Sequence, residues 1–332
     1  MTDINDLLVK ISEVNKRLGG PIIRPGSEYP TPVRISTGSL SLDKALGGGW
    51  PKGRIVMLWG NRSSGKSTLA LKSVATAQRG GMRCLYIDAE KAFDPSWAAT
   101  NGVDNDSLLV IRRNSLEDIL DATHDLIVGE LIDVVVLDSL NTINSSRFFA
   151  EGNNSIGQNA RAIGELLAKW NAWNVDSLII LISQARNKFS GVSVFTDHAG
   201  GLAAEHFPSV IVKLLASRDK GSFIYDEVSN NDMVYTSKVG QIIRWEVTKS
   251  KVSTPYSSGI FPLYSDGRDD KTFEAINLGV SAGLIQKSGS WMRYKDKKFH
   301  GENGLRDALR EDQALLEDLI REVMGLEFPQ EG

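Results

Sequence analysis

An eight-residue segment, Gly60 to Ser67, has the composition and spacing of a phosphate-binding loop. Its sequence, GNRSSGKS, matches the pattern G-x-x-x-x-G-K-[ST]. Glycines let successive backbone N–H groups turn towards phosphate oxygens, and the N-terminus of a following helix favours negative charge. We predict that Lys66 contacts the β- and γ-phosphates of ATP and that the Ser67 hydroxyl binds Mg²⁺. The predicted nucleotide contacts also include Gly60, Asn61, Arg62, Ser63, Ser64, Gly65 and Thr68.

Two acidic residues follow apolar segments and could complete such a site. Asp138 ends the apolar run 134–137, where a carboxylate can bind Mg²⁺ directly or through water. The alternative for Asp138 is an N-cap of the next helix. Glu90 ends the sequence IDAE, and a carboxylate near the γ-phosphate can orient and deprotonate the attacking water. The alternative for Glu90 is a surface glutamate, and spacing alone does not separate the two.

The elements that must position these residues alternate between strands and helices. Apolar runs predict strands at 54–59, 84–87, 133–138 and 177–183. Helical spacing predicts helices at 69–78, 116–128 and 160–173. Repeated strand–helix units imply a mostly parallel sheet covered by helices, with ligands beyond the carboxyl ends of the strands.

The two ends of the chain have different patterns. Apolar residues at spacings of three and four predict a helix over 4–18, which is either a packed cap or an arm that docks elsewhere. After about residue 265, the predicted elements are a helix at 273–278, short strands at 291–294 and 298–299, and a helix over 315–323. We therefore divide the chain into an arm and linker, a core and a small α+β domain, with bounds 1–32, 33–265 and 266–332.

The composition excludes several classes of protein. The net charge of −3 argues against a globally basic nucleic-acid coat, although a local basic groove is compatible with it. Cys84 is the only cysteine, which excludes an intrachain disulfide and a zinc ribbon and fits a reducing compartment. No segment approaches the roughly 18 to 20 apolar residues of a membrane helix. We expect a cytoplasmic protein without a membrane partner.

Several motifs together resemble the RecA recombinases. They are ISTGSLSLD at 35–43, SSGKS at 63–67, and IDAE at 87–90 followed by Asp94 and Pro95. The sequence GSWMRYK at 289–295 is similar to the C-terminal domain of that family, so the resemblance covers nearly the whole chain. It implies an α/β fold: a P-loop NTPase core with a mostly parallel central sheet, an N-terminal helix/strand arm and a small α+β C-terminal domain.

The same resemblance implies an activity and partners. The chain would be a DNA-dependent ATPase that forms a homo-oligomeric helical filament on single-stranded DNA. It would catalyse pairing and strand exchange with homologous double-stranded DNA. The N-terminal helix and the following short apolar piece, Ile22 and Ile23, would pack on the adjacent subunit.

The resemblance also assigns roles within the nucleotide site. It makes Glu90 the base for the attacking water and places the adenine near Asp94 and Trp97, with core packing as the alternative for Trp97. It makes Gln184 a sensor of the γ-phosphate that signals to the following loop. Family members usually have threonine at Ser67 and tyrosine at Trp97; the first change keeps the hydroxyl.

Lys249 and Lys251 resemble the segment that reaches the ATP of the neighbouring subunit. Cations there would stabilise transition-state charge only in the assembled polymer, and a solvated basic turn is the alternative. Near the same subunit seam, Glu205 and His206 stand where the family usually has a lysine and an aromatic residue. This departure puts coupling across the interface in question.

Two DNA-binding loops are implied, at about 147–157 and 185–199. The second precedes Gly200 and Gly201, which would start the next helix. Cations can neutralise phosphates without reading sequence, and apolar loop residues can wedge between the bases of a stretched strand. The candidates are Ile156, Gly157, Arg161, Lys169, Arg186, Lys188 and Phe189. The alternative is a set of solvated charges with two apolar residues tucked into the core.

Two other functions compete with this interpretation. A ring-forming helicase or clock-type ATPase of the same core fold would share Lys66, Ser67, Glu90 and Asp138. It would lack the N-terminal arm and the module at 289–299. A scaffold that binds ATP with scarcely any hydrolysis is the non-enzymatic alternative, and Glu90 argues against it.

Overall fold

The computed structural model describes residues 4–146, 155–190, 193–198, 201–217, 219–230 and 233–325. Its strands are β1 (Arg34–Ile35), β2 (Trp50–Pro51), β3 (Ile55–Gly60), β4 (Cys84–Asp88), β5 (Leu108–Ile111), β6 (Val134–Asp138), β7 (Leu178–Ser190), β8 (Ser193–His198), β9 (Val210–Ala216), β10 (Phe223–Asn230), β11 (Met233–Ser250), β12 (Ser258–Tyr264), β13 (Ile285–Ser288), β14 (Trp291–Tyr294) and β15 (Lys297–His300). Its helices are α1 (Ile4–Arg17), α2 (Leu40–Ala45), α3 (Lys66–Arg79), α4 (Pro95–Thr100), α5 (Leu116–Val128), α6 (Ser155–Trp173), α7 (Gly201–His206), α8 (Lys271–Ser281), α9 (Gly301–Glu311) and α10 (Gln313–Met324).

Contacts divide the chain into two units, Met1–Val33 and Arg34–Gly332. The first unit contains α1, as the apolar spacing predicts. The Asn15 side chain both accepts from Ile23 N–H and donates to Ile23 C=O, each at 2.8 Å, which fixes the chain that follows the helix. Among the described residues Ile22 and Ile23 belong to no strand, and both backbone groups of Ile23 are bonded to the Asn15 side chain instead.

The second unit is built on a mostly parallel sheet. Its strand order is β10-β11-β9-β3-β7-β6-β4-β5, with β12 beside β11 and β8 beside β7. The pairs from β9 through β3, β7, β6 and β4 to β5 are parallel, and β11 pairs antiparallel with β9, β10 and β12. The α/β prediction and the four predicted parallel strands are confirmed. The interior strand β9 and the antiparallel strands from residue 223 to 264 were not predicted.

Side chains of the central strands alternate between two apolar layers. In β3, Val56 and Leu58 pack with α3, whereas Ile55 and Met57 pack with α5 and α6. All six residues of β3 are buried, which explains its nearly continuous apolar sequence. The helices thus cover both faces of the sheet and leave the carboxyl ends of its strands free to carry polar residues.

The segment predicted as a loop at 185–199 differs from the prediction. Strand β7 continues to Ser190 and pairs antiparallel with β8, from Ala185 opposite His198 to Ser190 opposite Ser193. The loop prediction is therefore wrong for the described part of this segment. Its polar, Gly- and Ser-containing composition does not report backbone pairing, which satisfies the N–H and C=O groups of a hairpin whatever the side chains.

The C-terminal residues form a small domain with its own apolar cluster. Strands β13, β14 and β15 make an antiparallel sheet, and α8, α9 and α10 pack with it around Ile276, Met292, Leu305 and Leu319. The predicted helices at 273–278 and 315–323 and the aromatic strands are confirmed; β13 and α9 were not predicted. None of the helices in the described part of the chain is long and apolar enough to cross a membrane.

Candidate active site

The loop between β3 and α3 has the geometry that phosphate binding requires. Strand β3 ends at Gly60 and α3 begins at Lys66, and the backbone is left-handed at Ser63 (φ 59°) and Gly65 (φ 84°). A Cβ on Gly60 would lie 2.2 Å from the Leu214 carbonyl oxygen. One on Gly65 would lie 2.4 Å from a Leu263 methyl group. Close approach of the Leu214 backbone therefore requires glycine at position 60, and the left-handed backbone favours glycine at position 65.

The Lys66 ammonium lies inside this loop. Its Nζ donates to the carbonyl oxygens of Gly60 (3.1 Å) and Asn61 (2.6 Å), and the residue is only 7% exposed. Burial lowers the pKa of Lys66, while the nearby carboxylates of Asp138 and Glu90 oppose that shift. A buried cation held by backbone carbonyls is suited to a strong anionic ligand such as phosphate.

Asp138 ends β6 and faces the start of α3. Its Oδ2 accepts hydrogen bonds from the Ser67 hydroxyl (2.6 Å) and from the Tyr86 hydroxyl (2.7 Å). Burial raises the pKa of Asp138, and the two hydrogen bonds and Lys66 oppose the shift. In the following short helix, Leu140–Thr142, the N-cap residue is Ser139, and no side chain makes a capping hydrogen bond. The N-cap interpretation of Asp138 is therefore not supported.

The oxygen donors at Ser67 and Asp138 fit a magnesium ion. They lie within 2.6 Å of each other and line a pocket of about 290 Å³ with Ser63, Lys66 and Glu90. No group of three or more His, Cys, Asp or Glu residues that could hold a metal occurs among the described residues. One carboxylate and one hydroxyl are a donor set that suits Mg²⁺, because Mg²⁺ is typically bound through one or two carboxylates together with substrate phosphates and water.

Sheet register explains why Glu90 and Gln184 meet beside this pocket. Gly60 of β3 lies opposite Gln184 of β7, and Asp88 of β4 lies opposite Asp138 of β6. Glu90, two residues beyond β4, accepts a hydrogen bond from Gln184 Nε2 at 2.8 Å and another from the Ser139 hydroxyl. The carboxylate is therefore not an isolated surface glutamate; it lies in the same pocket as Lys66 and Ser67.

A second pocket, of about 280 Å³, lies on the other side of the phosphate loop. Ser63, Thr68, Trp97, Lys238 and Tyr264 are among the residues that line it. Trp97 is 36% exposed and lines this pocket, which favours the stacking role over core packing.

Asp94 has an observed role within α4. Its Oδ1 accepts from the N–H groups of Ser96 (2.8 Å) and Trp97 (3.3 Å), so it is the N-cap of the short helix that carries the indole. It is not among the residues that line the pocket of about 280 Å³. Asp94 thus orients Trp97 through the helix it caps.

Several residues of these pockets were missed by the sequence analysis. Tyr86 and Ser139 hydrogen-bond to the two functional carboxylates, and Asn141 Oδ1 accepts from the Gln184 N–H at 2.9 Å. Lys238 and Tyr264 complete the pocket beside Trp97. Ser139 directly follows Asp138 in the sequence, which is a usable signal; the others come from distant elements and have no local signature.

The proposed seam lysines lie away from both pockets of their own chain. Lys249 Nζ donates to the carbonyl oxygens of Glu205 (2.6 Å) and His206 (3.0 Å) at the C-terminus of α7. Burial lowers the pKa of Lys249, as does the charge of Lys251. Lys249 thereby contacts the two residues at which the sequence departs from the family pattern, whereas Lys251 is exposed.

The structure describes only part of the predicted DNA-binding residues. Gly157 lies in the first turn of α6, and Arg161 is exposed on the same helix, which begins five residues earlier than predicted. Gly201 begins α7 as predicted. Lys169 pairs with Glu165 at 2.9 Å, as an ordinary helix-surface charge does. Residues 147–154 and Gly200, and the side chains of Ile156, Arg186, Lys188 and Phe189, lie outside the described part.

Comparison with known proteins covers both parts of the chain. The family model of the RecA N-terminal domain matches residues 5–268, and that of the RecA C-terminal domain matches residues 274–326. The match to a C-terminal domain of this family is not expected for the ring-forming alternative, and nothing in the comparisons favours that alternative.

Curated relatives are similar in sequence to this chain over nearly their whole length. A Protein RecA from Ruegeria pomeroyi is 36% identical over 335 residues, covering 96% of this chain and 92% of the relative. The Protein RecA from Teredinibacter turnerae is 36% identical, with 97% of this chain and 94% of the relative covered. The one from Nitratiruptor sp. is 34% identical, with 97% of this chain and 93% of the relative covered. The chain therefore belongs to the RecA family, and it is an ATP-binding, DNA-dependent ATPase of DNA recombination.

Proposed function

We propose that the chain hydrolyses Mg²⁺–ATP in the pocket between Lys66 and Glu90 and uses this cycle to control a filament on single-stranded DNA. Lys66 holds the β- and γ-phosphates, and Ser67 and Asp138 hold Mg²⁺, which supplies neutralisation of phosphate charge when it is bound. Glu90 orients the attacking water and accepts its proton. Trp97 stacks on the base in the pocket of about 280 Å³.

The hydrogen bond between Gln184 and Glu90 is the observation that carries this proposal. Gln184 lies in the interior of β7, which runs without interruption from Leu178 to Ser190. The same strand therefore contains the contact to the hydrolytic carboxylate and, two and four residues later, Arg186 and Lys188. A shift of the Gln184 amide when the γ-phosphate leaves would be passed along a paired strand to the proposed DNA-binding hairpin.

DNA contacts are assigned to both sides of this hairpin and to the start of α6. Arg161, Arg186 and Lys188 neutralise phosphates, and Ile156 and Phe189 wedge between bases. Gly157, Gly200 and Gly201 give the backbone room to approach the strand. These contacts do not distinguish one nucleotide sequence from another. The filament would therefore accept any single strand and select a homologous duplex by base pairing alone.

Filament growth is assigned to the first unit and to the seam lysines. On α1 and after it, Leu7 and Leu8 are 54% and 57% exposed and Ile22 is 54% exposed, so large apolar side chains of the first unit are accessible. A second copy is the partner that would cover them and would also give the segment around Ile23 a strand to pair with. Lys249 and Lys251 would then act on the ATP of the adjacent subunit.

Each of the three segments predicted from the sequence is assigned its own function. Residues 1–32 polymerise, residues 33–265 bind nucleotide and DNA, and residues 266–332 form the C-terminal domain. The separate apolar cluster around Ile276, Met292 and Leu319 supports the last boundary. The single buried Cys84 supports a cytoplasmic location for the assembly.

Glu90→Gln tests the hydrolytic assignment. The amide is nearly isosteric but cannot take a proton, so ATP binding should persist while DNA-stimulated turnover falls by roughly a hundredfold or more. Nucleotide affinity is measured with a fluorescent ATP analogue and turnover by phosphate release. Wild-type turnover in this variant would remove Glu90 from the mechanism.

A further inference from the structure

The segment that carries Glu90 is attached to the sheet at several points. The N–H groups of Ala89 and Glu90 both donate to the Asp138 carbonyl oxygen, at 2.8 and 3.2 Å. Further along, the buried carboxylate of Asp88 accepts from Ala92 N–H at 2.8 Å and from Phe93 N–H at 3.1 Å. Lys91 lies between Glu90 and Ala92, and its N–H does not donate to Asp88. Its backbone is nevertheless left-handed, with φ 58°. A lysine adopts that conformation only where its surroundings hold it.

Arg112 supplies the contact at this point. It immediately follows β5, whose last residue, Ile111, lies opposite Ile87 of β4, so the register places Arg112 beside Asp88. Its Nε donates to Asp88 Oδ2 and its Nη2 donates to the Lys91 carbonyl oxygen, each at 3.1 Å. One guanidinium therefore joins the buried carboxylate to the backbone of the residue that directly follows Glu90.

We propose that Arg112 is a positioning residue for ATP hydrolysis, which holds the backbone at Lys91 so that the Glu90 carboxylate stays beside Ser139 and Gln184. The proposal rests on the assignment of Glu90 as the base for water. The two acceptors are met by two different nitrogens of one planar group, Nε and Nη2, and the single nitrogen of a lysine does not reproduce that spacing and direction. The role belongs to the guanidinium shape as well as to its charge.

Nucleotide binding should depend little on Arg112. Without it, Asp88 would still accept from Ala92 and Phe93 N–H, and the Phe93 ring packs on Tyr86 with centroids 5.3 Å apart. Those contacts fix the chain that leads to α4 and Trp97. Loss of Arg112 would thus move Glu90 while leaving the phosphate loop and the pocket at Trp97 in place, which is a defect in kcat rather than in KM.

Three variants separate this role from a general effect on stability. Arg112→Ala should lower the DNA-stimulated kcat by roughly tenfold or more, because small displacements of a catalytic group are costly, with KM for ATP within about twofold of wild type. Arg112→Lys keeps the charge beside Asp88 and should recover the melting temperature but not kcat. Arg79→Ala is the matched control, since Arg79 is exposed near the end of α3 and its Nη2 donates to the Thr76 hydroxyl at 2.9 Å; it should behave as wild type.

A double-mutant cycle with Glu90→Gln completes the test under single-turnover conditions with saturating single-stranded DNA. If Arg112 acts through Glu90, Arg112→Ala should cause no further loss in the Glu90→Gln background. An equal loss in both backgrounds, an unchanged kcat for Arg112→Ala, or full recovery by Arg112→Lys would each overturn the proposal. Wild-type turnover in the Glu90→Gln single variant would instead overturn the assignment of Glu90, so the two failures are distinguishable.

Discussion

Asp138 is the residue at which three elements of the active site meet. Its carboxylate ends β6, accepts from Ser67 at the start of α3, and accepts from Tyr86 of β4. The apolar strand before it and the phosphate loop together predicted its place near the nucleotide. Its partner Tyr86 could not be predicted, because the contact depends on which strands are neighbours in the sheet and not on any local pattern.

Tyr86→Phe should weaken magnesium binding. The Tyr86 hydroxyl donates to Asp138 Oδ2, and its loss removes a hydrogen bond that favours the ionised, metal-binding carboxylate. We expect the Mg²⁺ concentration for half-maximal ATPase activity to rise by roughly tenfold or more, in line with the loss of one hydrogen bond to a metal ligand. Tyr225→Phe, on an exposed strand residue, is the control. An unchanged magnesium titration would contradict the role given to Tyr86.

A buried carboxyl group near the start of the core should make stability depend on pH. Burial raises the pKa of Asp43 to about 6, although hydrogen bonds from Ser36 and from Thr37 N–H oppose the shift. The pKa of Asp43 in the folded protein lies above the ordinary value of 3.8, so the protonated carboxyl stabilises the folded state. This contribution to the free energy of unfolding is complete below about pH 4 and is lost as the pH rises through 6. The free energy of unfolding should fall by up to roughly 3 kcal/mol over this pH range.

Asp43→Asn should remove that dependence. The amide keeps an acceptor for Thr37 N–H and has no charge to bury, so its stability relative to wild type should increase between pH 4 and pH 7. Urea unfolding of both proteins at several pH values measures the difference. A constant difference across this range would show that Asp43 does not titrate in the folded protein.

At the scale of elements, strand β7 runs from the Gln184–Glu90 contact to the proposed DNA-binding hairpin. The sequence predicted its buried part well, because an apolar run between two central strands has a clear pattern. It did not predict the extension to Ser190, since those residues are polar and their conformation is set by pairing with β8. The antiparallel strands β10 to β12 were missed for a similar reason, because their sequences mix polar and apolar residues and their conformation is set by pairing with one another.

Replacement of both Arg186 and Lys188 by alanine tests the assignment of the hairpin. Affinity for single-stranded DNA should fall, and the slope of log K against log salt should become shallower by about 1.4, because two phosphate contacts at roughly 0.7 each are lost. Fluorescence anisotropy with a labelled oligonucleotide at several salt concentrations gives the slope. The same slope in the variant and in wild type would mean that the hairpin does not contact DNA phosphates.

At the scale of the whole molecule, assembly of several copies is the property on which the proposed function depends. The apolar residues Leu7 and Leu8 of α1 are exposed, and neither Lys249 nor Lys251 lines the phosphate pocket of its own chain. The proposed filament gives both features a partner. The periodic pattern of α1 was readable from sequence. The contacts that would cover it belong to another copy, so neither sequence periodicity nor a single chain defines them.

Negative-stain electron microscopy of the chain with single-stranded DNA, Mg²⁺ and a slowly hydrolysed ATP analogue tests the central claim most directly. Samples that lack the DNA or the nucleotide, and a variant without residues 1–24, are imaged beside it. Our account predicts continuous helical filaments that require both ligands and the N-terminal residues. Closed rings of the full chain, or no assembly under any condition, would contradict it.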